Sequence, residues 1–415
     1  MLIAYHSIFQ GIPYIVLVIA VLSLTSLIFQ KRSSIARSIL FSFGFWLAPL
    51  FYLTYVVLVH QLSIEIAGAF IVEFVILISY LSLFSRLLTI VSEGKSIDTN
   101  LMMRWLKTGL IVIIILASPL LLTGSFGIFS ETSRNDYLAD SRWYLYSLYA
   151  SILIQAAMVP VVASILNSQR RWNKLVIFYL VIISTFLLLG GSKGGGILSF
   201  IAIFSLVRLQ SLREYVRFFR VPLLGMAAVV SLSVFVLGKF LALDPIQMLL
   251  LMLSRIFINN DARALAIDLS GSPNWHSVSL FRESFRSYAT LLGTSPAYPP
   301  LGQYLYMWAF RSNGFVGANT SSTALMILYG SGVEKIIFSI GICMLALGIC
   351  LFSRIRGQYS IIRLAIGIFL LSSLSQDFLA FQLAVNILML VAILFLLFSF
   401  GRYLLIYCTK PSLVS

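Results

Sequence analysis

The sequence predicts an all-α fold, a polytopic helical bundle integral to a membrane, with about eleven to twelve spans. Three observations predict it. Hydrophobic residues make up 60% of the 415 and charged residues only 10%, with a mean hydropathy of +0.99, whereas a soluble domain carries about 25% charged and 45–50% apolar residues. Apolar runs close to the ~20 residues that ~30 Å of hydrocarbon requires recur along the chain. Basic residues collect between alternate runs. A soluble globular protein and a disordered one are both excluded by this composition.

The runs lie near 11–29, 39–59, 66–85, 108–124, 144–166, 175–191, 196–212, 222–242, 335–353, 361–375 and 378–401. Backbone groups in lipid must bond internally, so each run is read as a helix. The faintest signals are at 196–212 and 361–375. No Lys or Arg precedes Lys31 and no small-residue cleavage site follows the first run, so 11–29 reads as a retained helix rather than a cleaved signal peptide.

The formal charge of +15 invites a nucleic-acid reading, but its distribution argues for topology. One set of loops holds Lys31, Arg32, Arg37, Arg86, Lys95, Arg104, Lys107, Arg170, Arg171, Lys174, Arg208, Arg213, Arg217, Arg220, Arg354, Arg356, Arg363, Arg402 and Lys410, which is 19 of the 29 basic residues. With Glu93, Asp98 and Glu214 these loops carry +16, and the remainder of the chain carries −1. By the positive-inside rule the +16 face is cytoplasmic, the N-terminus outside and the C-terminus inside. None of these loops is long enough for a basic nucleic-acid-binding domain, so nucleic acid is not an expected partner.

The chain divides into an N-terminal transmembrane bundle over 1–242 with about eight spans, a large outer loop over 243–333, and C-terminal helices with a cytoplasmic tail over 334–415. The loop is broken by Pro245, Pro273, Pro296, Pro299 and Pro300. It is rich in Tyr, Trp, Phe and Leu, and loops of this length are commonly functional, so it reads as a folded cap. A smaller outer loop runs from about Ser125 to Trp143.

The cap contains Arg255, Arg263, Arg282, Arg286 and Arg311 and no lysine. Arginine is the side chain for bidentate recognition of phosphate and carboxylate. Arg255, Asn259 and Arg263 fall at i, i+4 and i+8; Arg282 and Arg286 fall at i and i+4 in SLFRESFRSYATLL, where Leu280, Phe281, Phe285 and Leu292 can bury the rest. Paired guanidinium groups at a membrane surface suit a diphosphate at headgroup level. The competing reading pairs them with Asp244, Asp261, Asp268 and Glu283.

His276 is the one histidine of the cap, and it serves either as a general base or as a surface hydrogen-bonding residue; Asp261, Asp268 and Glu283 are rival bases. The run Gly190–Gly196, GGSKGGG, fails the phosphate-loop pattern and lies on the side away from ATP. It reads either as an anion-binding turn with Lys193 at its tip or as a helix hairpin that needs glycine. Glu73, inside a span, is an intramembrane carboxylate and so a functional candidate or a partner for a neighbouring helix. Asp377 is placed in a tight outer turn. Trp46, Tyr52, Trp105 and Trp143 read as interfacial belts. Cys343, Cys350 and Cys408 lie in or beside apolar runs, without a disulfide framework or metal-ligand spacing. The chain lacks HExxH, CxxC, Walker and Asp-x-Asp patterns, which disfavours nucleotide-driven transport and metalloprotease chemistry.

Taken together, these features resemble the bacterial O-antigen and oligosaccharide repeat-unit polymerases of the Wzy type. The likeness rests on the span number, one dominant loop in the second half, Gly191-Ser192-Lys193-Gly194 where the family has Gly-Ser-Arg-Gly, and the run GANTSSTALMILYGSGVEKIIF (Gly317–Phe338) leading into the next helix. Lys193 keeps the charge of the family's arginine but not its planar fork. Arg282 and Gly293 fit the family's Arg-x10-Gly pattern.

The resemblance implies a membrane-embedded glycosyltransferase of GT-C-like architecture in the bacterial inner membrane, independent of metal, nucleotide and other cofactors. It would join undecaprenyl-diphosphate-linked repeat units at the periplasmic face and release undecaprenyl diphosphate. Arg255, Arg263, Arg282, Arg286, Arg311 and Lys193 would hold the diphosphate, and His276, Asp261 or Glu283 would act as base. Asn319 would bond sugar. Donor and acceptor glycolipids and membrane lipid are the implied partners, with a chain-length regulator protein left open. An O-antigen ligase is the nearest alternative; a lipid-linked oligosaccharide flippase is the alternative of another class, disfavoured because ionisable residues are concentrated in one outer loop rather than spread among the spans.

Overall fold

The computed structural model describes residues 64–93, 98–123, 142–189, 202–209, short pieces between 213 and 269, 279–286, 301–310, 321–355, 357 and 359–409. The runs at 11–29 and 39–59, and nearly all of 222–242, lie outside the described residues. Among the described residues the fold is helical throughout, with no strand.

Ten helices carry the description: α1 (Ile64–Glu93), α2 (Thr99–Thr123), α3 (Arg142–Gln169), α4 (Lys174–Leu189), α5 (Leu280–Ser284), α6 (Leu301–Phe310), α7 (Ser322–Leu328), α8 (Gly332–Ser353), α9 (Ser360–Gln376) and α10 (Phe378–Thr409). Among the described residues five stretches are long and apolar enough to cross a membrane: Ile71–Val91, Thr99–Pro119, Tyr146–Gln169, Gly332–Ser353 and Phe378–Phe400; Lys174–Phe186 and Ser360–Gln376 are shorter apolar helices. The sequence-predicted runs at 66–85, 108–124, 144–166, 175–191, 335–353, 361–375 and 378–401 each fall on one of these helices. The helices overrun the apolar runs because hydrogen bonding continues past the hydrocarbon; Arg86, Arg104, Lys107, Lys174, Arg363 and Arg402 therefore sit on helices and not in loops.

The burial pattern explains why these helices stand in lipid. On α1, Ala69, Val72, Ile76, Leu83 and Leu87 recur at helical spacing on the buried face, while Ile71, Phe74 and Ile78 are 64%, 57% and 52% exposed. A soluble helix would place polar groups on that outer face. Here it is apolar too, so water is not its solvent. Proline lies inside both α2 (Pro119) and α3 (Pro160); in α2 the carbonyl that Pro119 leaves without its helical donor, Ile115 O, accepts Ser118 Oγ at 2.7 Å.

α9 is the hub. It packs on α1, α3, α7, α8 and α10, while α2 leans on α3 and α4. Small residues permit this closeness. A Cβ at Gly367 of α9 would run into Ser353 Oγ of α8 and lie 3.0 Å from Leu83 of α1. Gly109 of α2 similarly meets Met158 of α3, at 3.2 Å. In lipid, where apolar surface gains nothing by leaving its solvent, such close packing supplies much of the association energy.

Two ends follow from the contacts. At one end Arg354 donates to Ser82 Oγ at 2.6 Å, and Trp105 stacks on Tyr359 at 5.6 Å. Asn167 donates to Val91 O and Leu206 O at 3.3 and 3.1 Å and accepts from Arg208 N at 2.8 Å, while Trp172 donates to Phe218 O at 2.6 Å. The basic residues of four expected cytoplasmic loops therefore gather at one end. Helical residues 202–206 and 216–222 also lie at that end, while the rest of the run at 196–212, save 207–209, is outside the described residues. At the opposite end α1, α3, α8 and α10 begin and α9 ends. The turn there is a single residue: Asp377 closes α9, and its Oδ1 accepts Ala380 N at 3.0 Å to start α10.

The outer loop does not stay outside the bundle along its whole length. α7 is buried at every residue and packs among α1, α8 and α9. Ser321 Oγ caps it by accepting Ala324 N at 3.0 Å, and Gly330, at φ +80°, turns the chain into α8. The sequence reading placed 321–330 in the cap; the run STALMIL between a capping serine and a glycine was the overlooked signal.

Candidate functional site

The candidate site is the segment Ser279–Arg286, at the end of the bundle away from the arginine-rich loops. Its anchoring begins with Glu334 on the first turn of α8. One carboxylate oxygen accepts Ser331 N at 3.0 Å, and Ser331 Oγ accepts Glu334 N at 3.4 Å, a reciprocal cap. The other oxygen accepts Ser279 Oγ at 2.9 Å. The residue that starts α8 thus also pins α5 against it. Gly330 makes the approach sterically feasible, since a Cβ there would lie 3.0 Å from that of Leu280. From α10, Gln382 donates its side-chain amide to Ser284 O. Ser284 Oγ in turn donates to Leu280 O at 2.6 Å.

Within this anchored segment the two arginines part company. α5 ends at Ser284, with Phe285 as its C-cap at φ −101° and ψ 9°, so Arg282 and Arg286 do not continue along one helix face. Arg286 is buried, and its Nε donates to both carboxylate oxygens of Glu283 at 2.9 Å. Glu283 Oε1 also accepts Leu301 N at 3.5 Å, which ties the start of α6 to the same carboxylate. Arg282 stands exposed, flanked by Phe281 and Phe285, which are 37% and 59% exposed. The expected shared guanidinium face is therefore replaced by one inward arginine in an ion pair and one outward arginine between aromatic rings. The charge pairing weighed from sequence is present for Arg286 and Glu283.

Chemically, the segment offers an exposed cation, Arg282, on a backbone held by α6, α8 and α10, with two partly exposed phenylalanines beside it in sequence. An anionic group carried on an apolar chain matches that combination. His276, Asp261, Asp268, Arg255, Arg263, Arg311, Lys193 and Asn319 lie outside the described residues. Near Arg263, the described Leu265, Ala266 and Leu269 are fully buried and helical.

The same half of the bundle holds several buried polar side chains. Glu73 of α1 is 3% exposed and accepts a hydrogen bond from Ser375 Oγ of α9. Ser147, Ser151 and Gln155 on α3 and Gln382 and Asn386 on α10 are buried as well. Only Glu73 was singled out from sequence. The others are uncharged residues at helical positions, and without the packing nothing separates them from lipid-facing hydroxyls.

Comparison of the chain with protein-family models, with curated proteins and with solved structures finds no match.

Proposed function

We propose that this protein is a membrane-embedded glycosyltransferase that polymerises undecaprenyl-diphosphate-linked oligosaccharide repeat units at the periplasmic face of the bacterial inner membrane, as the O-antigen polymerases do. The observation that carries the reading is Arg282, exposed on a segment braced by α6, α8 and α10 at the end of the bundle opposite the basic loops.

In the proposed reaction a hydroxyl of the incoming unit attacks the anomeric carbon of the growing glycan. The bond from that carbon to the diphosphate oxygen breaks, and undecaprenyl diphosphate leaves with the electron pair. Its developing charge is what a pre-positioned guanidinium stabilises. Arg282 fills that role, with Arg255, Arg263, Arg311 and Lys193 as further cations and Asn319 on the sugar. The hydroxyl proton passes to His276 or Asp261, since both oxygens of Glu283 are taken up by Arg286. Arg286 acts through Glu283, holding the segment in shape. The donor carries its own activated diphosphate linkage, so the reaction needs neither nucleotide nor metal, and the apolar outer faces of the helices receive the prenyl tails.

The test is conversion of purified lipid-linked repeat units by the purified protein in a chelator-containing buffer. A ladder of lengthened glycans with released undecaprenyl diphosphate supports the reading. Unchanged units refute it. Transfer only when lipid A core is supplied assigns a ligase, and movement of units across a liposome without bond exchange assigns a transporter.

A further inference from the structure

At the basic end of the bundle a cleft of about 390 Å³ opens between α1 and α9, lined by Arg86, Thr89, Ile90, Gly357 and Ser360. Its volume falls in the ~300–1,000 Å³ range of small-ligand sites. Among the described residues the lining comprises one guanidinium, two hydroxyl-bearing side chains, a glycine and one apolar side chain, with no acid among these. Arg86 is half-buried, and no hydrogen bond or ion pair to a described residue engages it.

A second guanidinium stands at the rim. Arg363, three residues beyond Ser360 on α9, donates from Nη2 to Ile355 O at 2.7 Å, while its Nε is buried with no acceptor among the described residues. Gly357 makes this arrangement possible. Its φ of +151° is open to glycine, and a Cβ there would lie 3.2 Å from Arg363 Nη2. Any other residue would crowd the guanidinium and narrow the cleft.

The depth in the membrane indicates the ligand. Arg86 lies five residues before the end of the apolar stretch Ile71–Val91, and the Trp105–Tyr359 stack sits beside the cleft at the position of an interfacial belt. A basic pocket between transmembrane helices at headgroup level is suited to lipid phosphates. We infer that this cleft binds a phosphate group, with Arg86 and the Ser360 hydroxyl as its direct donors, and that an anionic phospholipid of the basic-side leaflet supplies it. The inference does not depend on the proposed reaction, which lies at the other end of the bundle.

The test uses the full chain in a neutral detergent, titrated separately with phosphatidylglycerol, phosphatidylcholine and inorganic phosphate. Bound lipid is read by native mass spectrometry, and the thermal unfolding midpoint is followed in parallel. Phosphatidylglycerol is expected to bind in preference to phosphatidylcholine and to raise the midpoint. Arg86→Gln weakens that binding by about tenfold, the loss of one charge-assisted contact, and Ser360→Ala weakens it less. Arg104→Gln, which removes an exposed arginine at the same end, leaves binding unchanged. If Arg86→Gln does not fold, Arg86→Lys and Ser360→Ala carry the comparison. Protection by inorganic phosphate that is lost in Arg86→Gln supports the phosphate site and assigns it to a soluble anion. Equal binding of both lipids, or wild-type binding by Arg86→Gln and Ser360→Ala, overturns the inference.

Discussion

Arg286 Nε lies 2.9 Å from both carboxylate oxygens of Glu283, and both side chains are buried. The pair fixes the fold of the candidate site. Removing one partner of such a pair leaves a buried charge and costs about 3–5 kcal/mol, whereas replacing both by apolar residues is often close to neutral. Arg286→Met and Glu283→Leu are therefore expected to lower the unfolding midpoint sharply, and the double variant Glu283→Leu/Arg286→Met to recover most of that loss. Thermal unfolding of the four proteins in detergent checks this. Strictly additive losses in the double variant would mean that the two side chains do not act as a pair.

The Ser375–Glu73 bond joins α9 to α1 inside the bundle. Interhelical polar pairs in membranes are worth about 1 kcal/mol. A double-mutant cycle with Ser375→Ala and Glu73→Gln should yield a coupling energy of that size. A coupling near zero would indicate that Glu73 is held by its other neighbours.

Gly367 and Gly348 make a matched contrast. In a helix, replacing glycine with alanine gains up to about 1 kcal/mol from backbone propensity. At Gly348, where nothing lies within 4 Å of the added Cβ, that gain should survive. At Gly367 the Cβ collides with Ser353 Oγ, and overpacking of about 1–3 kcal/mol outweighs it. Gly348→Ala should thus be neutral or stabilising and Gly367→Ala destabilising. Unfolding midpoints that shift in the same direction would refute the close approach of α8 and α9.

The split of charge between the two ends makes a topological prediction. In intact cells carrying serine in place of Cys343, Cys350 and Cys408, a cysteine at Arg282 should react with a membrane-impermeant thiol reagent. A cysteine at Arg217 should react only after lysis. The reverse pattern would place the candidate site in the cytosol and remove its access to periplasmic glycans.

Much of this architecture was legible in the sequence because hydropathy reports solvent directly. A run such as Gly332–Ser353, free of charge after Lys335, has no alternative in water. The position of the basic residues at one end followed from charge alone, and Arg354, Arg170 and Arg208 indeed gather there. What hydropathy could not give was the division of labour between Arg282 and Arg286. Their spacing suggests a shared face, and only the break at Phe285 separates them. The burial of α7 was hidden for a related reason: seven residues are too few to read as a span, so its apolar character resembled the lining of a cap. Ser279 and Gln382 were invisible as anchors because their partners, Glu334 and Ser284, lie 55 and 98 residues away.

Arg282 offers the most direct measurement, because it is exposed and its removal should cost little stability. Purified wild-type protein and Arg282→Ala are given the same lipid-linked repeat units, with unfolding midpoints recorded for both. The account predicts a ladder of lengthened glycans from the wild type, at least about a hundredfold less product from Arg282→Ala in line with the loss of one transition-state donor, and midpoints within a degree or so of each other. An undiminished ladder from Arg282→Ala at an unchanged midpoint would contradict it.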